Sequence, residues 1–176
     1  MNIEDLSALY THILRLKKLK RSGWVRNNVD DPESVADHSF ALALLALQFA
    51  NKLNLDAYKA ATIALIHDVG ESIIGDITPH HGISRQEKSK KEAVAVKEIL
   101  KDKELHELWL DFEESRTEEG RLVKQLDKLE AYMQARNYQL SDDILAEFHQ
   151  STDSVLSDKS MKEILKLLEK TDTIAA

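Results

Sequence analysis

Four side chains that could bind a cation interrupt segments of this sequence that otherwise resemble apolar helices. His38 lies near the start of VADHSFALALLAL, His67 and Asp68 interrupt TIALIHDVG, and Asp127 borders the apolar stripe of GRLVKQLDKLEAYM. Burying an ionised carboxylate without a partner costs several kcal/mol or forces it to take up a proton. A bound cation would remove that cost, and two imidazoles with two carboxylates suit a hard or borderline divalent metal.

Each of these residues has a more ordinary interpretation when it is taken alone. A single histidine in an apolar helix is more often a hydrogen-bonded core residue than a metal ligand. Adjacent residues diverge by about 100° on a helix, so His67 and Asp68 converge only where their helix ends. Gly70 predicts such an end, because it fits the C′ position. Asp127 alone could be an exposed partner of nearby basic residues, but the order of all four on predicted core helices favours a shared site.

Two further carboxylates follow the His67–Asp68 pair. Glu71 is three residues after Asp68 and four after His67, which places it on the same side if helical geometry persists for one turn. Asp76 follows Gly75, where the chain can turn back. Both carboxylates are therefore expected beside the cation, without a requirement that they bind it.

Two other segments carry polar groups that each have two interpretations. Residues 15–26 contain six basic residues and no acidic one. They form either a solvated helix face or a local anion site, too small for a duplex but adequate for a phosphate. His80 and His81 follow Pro79 and predict a mobile loop beside the site rather than additional metal ligands.

The elements that position these residues are predicted to be helices. The 176 residues include only five Gly and two Pro, and Leu, Ala, Lys and Glu, which favour helices, dominate. Apolar spacing predicts helices over residues 3–20, 35–53, 56–69, 84–101, 104–114, 117–138, 143–155 and 159–170, with an irregular segment over 71–84. Ser34 and Asp37 form a capping box before the second of these helices, which is apolar on every side and is predicted to be central and buried. We predict an all-α, single-domain bundle over residues 1–176, with C-terminal helices over 143–170.

The composition limits the possible functions. Apolar residues make up 43% of the chain and charged residues 31%, as in ordinary globular proteins. The net charge of −7 disfavours binding to a nucleic-acid polymer. There is no cysteine, no recognisable signal peptide and no apolar run long enough to span a bilayer. We therefore expect a cytoplasmic protein that binds no membrane.

Several of these segments, in this order, resemble those of a known superfamily. VADHS, LIHDVGESIIGD and KQLDKLEA are similar to motifs of the HD-domain metal-dependent phosphohydrolases. RSGWVRN and ESIIGDITP extend the similarity to the 5′-deoxynucleotidases within that superfamily, including small eukaryotic and archaeal relatives. The resemblance covers residues 8–140, which would be the motif-bearing core of an HD-type helical bundle.

The resemblance implies roles for most of the residues introduced above. It implies that Mn²⁺, Co²⁺, Fe²⁺ or Mg²⁺ is held by His38, His67, Asp68 and Asp127. It assigns Glu71 and Asp76 to catalysis, one orienting or deprotonating the attacking water and one protonating the leaving 5′-oxygen, without dividing these roles between them. Glu71, Asp76 and the Ile77 carbonyl could form a second metal site. Ile77, Thr78 and Pro79 are also expected to contact substrate.

The resemblance also assigns two residues before His38 to substrate binding. It implies that Arg21 orients the phosphate and that Trp24 selects the sugar. A planar guanidinium matches two phosphate oxygens. Trp24, expected in a loop, would pack against C2′ and leave no room for a 2′-hydroxyl. The spacing RSGW differs from relatives in which Arg and Trp are adjacent.

The function implied is hydrolysis of deoxyribonucleoside 5′-monophosphates to deoxynucleoside and phosphate by a metal-activated water. The alternatives are another HD-type reaction on nucleoside triphosphates or cyclic nucleotides, and a non-catalytic metal-binding regulatory module. The first alternative usually needs a larger chain or extra ligands, and the second does not require both Glu71 and Asp76.

The expected oligomer is a homodimer, which the resemblance favours. Residues 161–168 near the C-terminus form an apolar stripe with two interpretations. The stripe packs on the core of its own chain, which is the more ordinary interpretation, or it contributes to the dimer interface.

Overall fold

Helices account for the regular secondary structure of the described residues. The computed structural model describes residues 2–170, so the ends of the predicted domain at Met1 and over 171–176 lie outside the described range. The helices are α1 (Ile3–Lys18), α2 (Ser22–Arg26), α3 (Val35–Lys52), α4 (Ala57–Ile66), α5 (Glu71–Ile74), α6 (Arg85–Ile99), α7 (Lys103–Glu113), α8 (Glu118–Asn137), α9 (Asp142–Val155) and α10 (Lys159–Glu169), with a 3₁₀ turn at Pro79–His81. The predicted all-α fold is confirmed.

The core forms where α3 packs along α4 and α8. Small residues on α3 and α4, including Ala46, Ala60 and Ala64, are fully buried and allow the two helices to approach closely. Leu126 and Leu129 of α8 complete this cluster. The three helices that carry the predicted ligands therefore share one core.

Side-chain caps fix where the ligand-bearing helices begin. Ser34 accepts a hydrogen bond from the Asp37 backbone N–H, and Asp37 accepts one from the Ser34 N–H, which is the predicted capping box. Asp56 caps α4 through the Lys59 N–H. Both caps satisfy backbone donors that the first helical turn leaves without partners.

The third helix is less buried than the sequence predicts, and the first helix lies at the surface. Phe40 and Leu44 of α3 are 63% and 50% exposed, so the prediction that α3 is buried on every side is wrong. α1 has no buried residue, although its Leu9 and Leu16 pack against a core cluster. Both helices therefore leave apolar side chains exposed.

The segment after α4 differs from the predicted C-terminal cap. Gly70 has φ −60° and ψ −27°, which is right-handed rather than the left-handed C′ geometry. A Cβ there would lie 3.1 Å from Val96 Cγ2 and 3.4 Å from the Glu92 carbonyl oxygen. The close approach of α6 therefore explains why residue 70 is a glycine. The irregular segment predicted over 71–84 begins instead with the short helix α5.

The C-terminal apolar stripe packs on the chain's own core. Met161 and Leu165 are buried, and Ile164 and Leu168 pack against the same cluster. Leu167 faces outward. Over residues 2–170, no helix has both the length and the apolar character needed to cross a membrane.

Candidate metal and catalytic site

His67 presents a buried ring nitrogen that lacks a hydrogen-bond partner. It caps the C-terminus of α4, where its Nδ1 lies 2.8 Å from the Ala64 carbonyl oxygen. A carbonyl oxygen can only accept, so Nδ1 is the donor of this hydrogen bond. Nε2 lies 3.0 Å from Asp68 Oδ2 and has no hydrogen-bond partner. A cation shared by these two atoms would satisfy both of them.

His38 repeats this arrangement on α3. Its Nδ1 lies 2.6 Å from Glu130 Oε2, and its Nε2 lies 3.2 Å from Asp127 Oδ1 without hydrogen-bond geometry. Burial lowers the pKa of His38, but the carboxylates of Asp127 and Glu130 outweigh it and raise the pKa to about 9. In the metal-free protein a proton therefore offsets these acids.

Three of the four predicted ligands come together closely. His38, His67 and Asp68 each offer an atom within 4.8 Å of the others. Asp127 reaches the same place through its contact with His38 Nε2, while its second oxygen is 2.9 Å from Lys128 Nζ. Buried imidazole nitrogens without hydrogen-bond partners, each facing a carboxylate, form a donor set for a divalent cation, so these residues fit the metal that the resemblance implies.

Arg21 lies at the edge of this cluster. Its guanidinium is 3.2 Å from Asp68 Oδ2. Burial lowers the pKa of Arg21, but Asp68, Asp127, Asp76 and Glu71 raise it, in that order of effect. Burial likewise raises the pKa of Asp68, and His67, Arg21 and His38 outweigh it and lower that pKa. One cation therefore faces four acids, and both partners of the ion pair stay charged.

Glu71 is a buried acid that is not a predicted ligand of the first metal. It is 2% exposed, and its Oε2 has no hydrogen-bond partner. Burial raises the pKa of Glu71 well above its ordinary value, and the charges of Asp68 and Asp76 add to this. Lys88 of α6 lies between two acids, with Nζ 3.9 Å from Glu71 Oε1 and 3.2 Å from Glu92 Oε1. Glu71 is therefore placed to hold a proton beside the predicted metal.

Asp76 is held against the start of α2. Gly75 ends α5 with a φ of +81°, a conformation that favours glycine, and turns the chain back as the sequence predicts. Asp76 Oδ2 accepts the Ser22 N–H at 2.6 Å, and the Asp76 carbonyl oxygen accepts the Ser22 hydroxyl at 2.7 Å. Among the described residues, Glu71 and Asp76 do not meet in a metal-type group, so the second metal site stays a prediction.

Trp24 lies inside the protein rather than in an open loop. It belongs to α2, is 2% exposed, and stacks on Phe148 at 4.9 Å between ring centroids. Tyr138 packs edge-on against the same indole. The expectation of a loop tryptophan is therefore wrong, because the indole fills a core cluster with residues of α8 and α9. Its contact with a sugar stays a prediction.

The segment after Asp76 folds back on itself. Ile77 and Thr78 are half-buried, and the Thr78 N–H donates to His81 Nδ1 at 3.0 Å. His80 contacts Arg26, and the side chain of Pro79 is outside what the structure describes. Neither His80 nor His81 joins a metal-type group of the described residues. Substrate contact by Ile77, Thr78 and Pro79 stays a prediction.

Three charged residues at the site were not predicted from the sequence. Glu130 had a usable signal, because it lies three residues after Asp127 on the same helix face. Glu33 and Lys88 reach the site only through tertiary packing, which no local pattern reports. Glu33 Oε1 accepts the Trp24 indole N–H at 2.8 Å.

Comparisons with known proteins agree on one family. The family model described as HD domain matches residues 13–171. The mouse protein named 5′-deoxynucleotidase HDDC2 is 37% identical over 166 residues, which are 90% of this chain and 82% of the mouse protein. The fission-yeast 5′-deoxynucleotidase hdd1 is 36% identical over 135 residues, 71% of this chain and 68% of its own.

A solved structure extends the comparison to the whole fold. A conserved hypothetical protein from Pyrococcus furiosus superposes with a TM-score of 0.80 and 34% identity, over 93% of this chain and 99% of its own. Similarity in sequence and in fold therefore covers most of the chain.

Proposed function

The chain belongs to the HD-domain family, and from that membership we propose that it is a metal-dependent 5′-deoxynucleotidase. The reaction is hydrolysis of a deoxyribonucleoside 5′-monophosphate to deoxynucleoside and phosphate. The observation that carries the proposal is the pair of buried Nε2 atoms of His38 and His67, each facing a carboxylate beside the Arg21 guanidinium. The names of the mouse and yeast relatives supply the substrate class.

The metal site of the proposal consists of His38, His67, Asp68 and Asp127. A divalent cation bound there supplies positive charge that activates water and stabilises the transition state. Mn²⁺ and Co²⁺ are the metals proposed first, with Fe²⁺ and Mg²⁺ as alternatives, since the nitrogen and oxygen ligands accept all four. A second cation bound by Glu71, Asp76 and the Ile77 carbonyl is a further part of the proposal.

The side chains around that site have separate tasks. Arg21, held beside Asp68 at 3.2 Å, binds the substrate phosphate. Glu71 holds a proton on its buried carboxyl group and donates it to the leaving 5′-oxygen. Asp76, bonded to Ser22, holds the start of α2 and so places Arg21. This division of tasks goes beyond the sequence, which left the roles of Glu71 and Asp76 undivided.

A substrate panel tests the proposal directly. Chelated protein is assayed for released phosphate with 5′-monophosphates of deoxyribo- and ribonucleosides, nucleoside triphosphates and cyclic nucleotides, before and after addition of Mn²⁺ or Co²⁺. We expect turnover of the deoxyribonucleoside 5′-monophosphates only after metal is added. Asp68→Ala should abolish it, while Asp31→Asn on the surface should not. Turnover of triphosphates or cyclic nucleotides alone would favour the alternative HD reaction, and no turnover with metal bound would favour a regulatory module.

The sugar preference is a finer part of the same panel. The sequence predicts that Trp24 excludes a 2′-hydroxyl, and a buried hydroxyl without a partner costs about 1–3 kcal/mol. Because the indole is buried against Phe148, Trp24→Ala changes the core as well as the sugar site. Trp24→Phe is therefore the informative variant. Equal rates of hydrolysis of deoxyribo- and ribonucleoside 5′-monophosphates by the wild type would contradict the proposed sugar selectivity but not the proposed phosphatase activity.

The homodimer is also part of the proposal. α1 exposes Ile3, Leu6, Tyr10 and Ile13 on one side, and α3, against which it packs, exposes Phe40 and Leu44. The first turn of α1 is acidic and its last turn is basic. Two copies of α1 packed antiparallel across a twofold axis would bury the apolar face and pair these charges. A second copy of this chain is therefore the proposed occupant of this face. A cytoplasmic location stays a prediction.

A further inference from the structure

Two acids lie side by side behind the metal ligand His38. Glu33 immediately precedes the cap of α3, and Glu130 is on α8. One oxygen of each lies within 4.8 Å of the other and of a ring nitrogen of His38. Glu130 is the direct partner, 2.6 Å from His38 Nδ1, and it is buried. Neither acid belongs to the predicted ligand set.

Glu33 is bonded to the turn that carries Arg21 and Trp24. Its carboxylate accepts the Trp24 indole N–H at 2.8 Å, and its carbonyl oxygen accepts the Arg21 backbone N–H at 3.1 Å. Its own backbone N–H donates to the Tyr138 hydroxyl at 2.8 Å. Three bonds from three directions leave the residue little freedom.

This arrangement is costly if it serves packing alone. Two neighbouring carboxylates in a buried place repel each other, and each loses part of its hydration. An amide or an aliphatic side chain would fill the same space at lower cost. The structure offers a use for each acid, since one orients an imidazole and the other holds an indole.

We propose that Glu33 and Glu130 are a pair of positioning residues that join the metal site to the substrate-binding turn. Glu130 fixes the His38 ring so that Nε2 points toward the cation. Glu33 packs against that pair and holds the Arg21–Trp24 turn at a fixed distance from it. The positions of the metal ligand His38 and of the Arg21–Trp24 turn then depend on one connected group of residues. The substrate part of this inference rests on the proposed function, and the metal part does not.

The Glu130 half is tested by metal affinity. Co²⁺ binding to the full chain is followed by its visible absorption in wild type, Glu130→Ala and Glu130→Gln. We expect Glu130→Ala to weaken binding by about 10–100-fold, as for other partners of metal-bound imidazoles. Glu130→Gln, which can still accept from Nδ1, should recover part of that loss. Unchanged affinity in Glu130→Ala would overturn this half, as would a loss that Gln does not recover.

The Glu33 half is tested by fluorescence and by kinetics. In a Trp109→Phe background Trp24 is the remaining tryptophan of the chain, so its emission reports the Glu33 bond. We expect Glu33→Gln, whose amide oxygen accepts the indole N–H without a negative charge, to shift this emission. It should also raise KM for a deoxyribonucleoside 5′-monophosphate by about tenfold, the difference between a hydrogen bond to a charged acceptor and one to a neutral acceptor, and change kcat less. Asp31→Asn, which removes the same charge from a fully exposed position two residues earlier, should do neither.

The experiments distinguish an error in the proposed role of Glu33 and Glu130 from an error in the proposed function. If the wild type hydrolyses no nucleotide, the proposed function fails, but the Co²⁺ and fluorescence readouts still apply. If the wild type is active and Glu33→Gln leaves both the emission and KM unchanged, the link between the two acids and the turn is wrong. A second equivalent of Co²⁺ that is lost in Glu33→Gln would also overturn the proposal, because the acids would then be ligands.

Discussion

Glu71 is the residue whose environment most directly limits the chemistry. Burial, Asp68 and Asp76 all raise its pKa, so it holds its proton at pH values where an ordinary glutamate is ionised. A proton donor must be protonated to act. We therefore expect kcat to fall as pH rises through the raised pKa of Glu71, and to be retained below it until other groups, including metal ligands, take up protons.

Glu71→Gln separates this role from metal binding. The variant keeps the shape of the side chain but has no acidic proton, so kcat should fall by roughly 10²–10⁴ while bound metal is retained. The high-pH decline should also disappear from its residual activity. Glu87→Gln on the exposed face of α6 serves as the matched control. Wild-type kcat in Glu71→Gln, with metal bound, would exclude Glu71 as the donor.

His38 makes metal binding sensitive to pH in a predictable direction. Its pKa is raised to about 9 because Asp127 and Glu130 outweigh burial. Binding a cation at Nε2 must displace a proton at any pH below that value. Metal affinity should therefore increase with pH between about pH 6 and pH 9. Proton release is measured by calorimetry in buffers of different ionisation enthalpy, and heat that is independent of the buffer at neutral pH would contradict the assignment.

Gly120 of α8 lies directly against the backbone of α7. A Cβ on Gly120 would lie 2.2 Å from the Asp111 carbonyl oxygen, a distance that forces the backbone to move. Gly120→Ala should therefore lower the free energy of unfolding by about 1–3 kcal/mol. Gly23→Ala, where nothing lies within 4 Å, should have little effect or a slightly stabilising one. Equal melting temperatures for the two variants would show that α7 and α8 leave more space at Gly120 than these distances indicate.

The helices that carry the ligands were predictable because local rules agree there. The capping box at Ser34, the cap at Asp56 and the apolar spacing of α8 each fix a boundary within a few residues. The site was predictable to the same extent, since His38, His67 and Asp68 lie at positions where polar groups interrupt those patterns. Gly70 and Glu33 could not be interpreted correctly, because their roles depend on what packs against them from α6 and α8.

At the scale of the whole molecule, the outward face of α1 is the feature that one chain alone leaves unexplained. Leu9 and Leu16 of α1 pack against a core cluster, whereas Ile3 is 85% exposed and Leu6, Tyr10 and Ile13 each keep 40–55% of their surface exposed. Exposed apolar side chains on one helix face are typical of an interface. The C-terminal stripe cannot take this role as a whole, since Met161 and Leu165 are buried.

The last prediction follows from that face. Tyr10→Glu combined with Ile13→Glu would place two like charges at the centre of the proposed antiparallel α1 contact, so the chain should sediment as a monomer where the wild type sediments as a dimer. The monomer should keep its bound Co²⁺, because none of the proposed metal ligands lies on α1. Val94→Glu, which changes a still more exposed apolar residue on α6, should leave the dimer intact. A wild type that sediments as a monomer at all concentrations, or a double variant that stays dimeric, would show that α1 does not pair with a second copy.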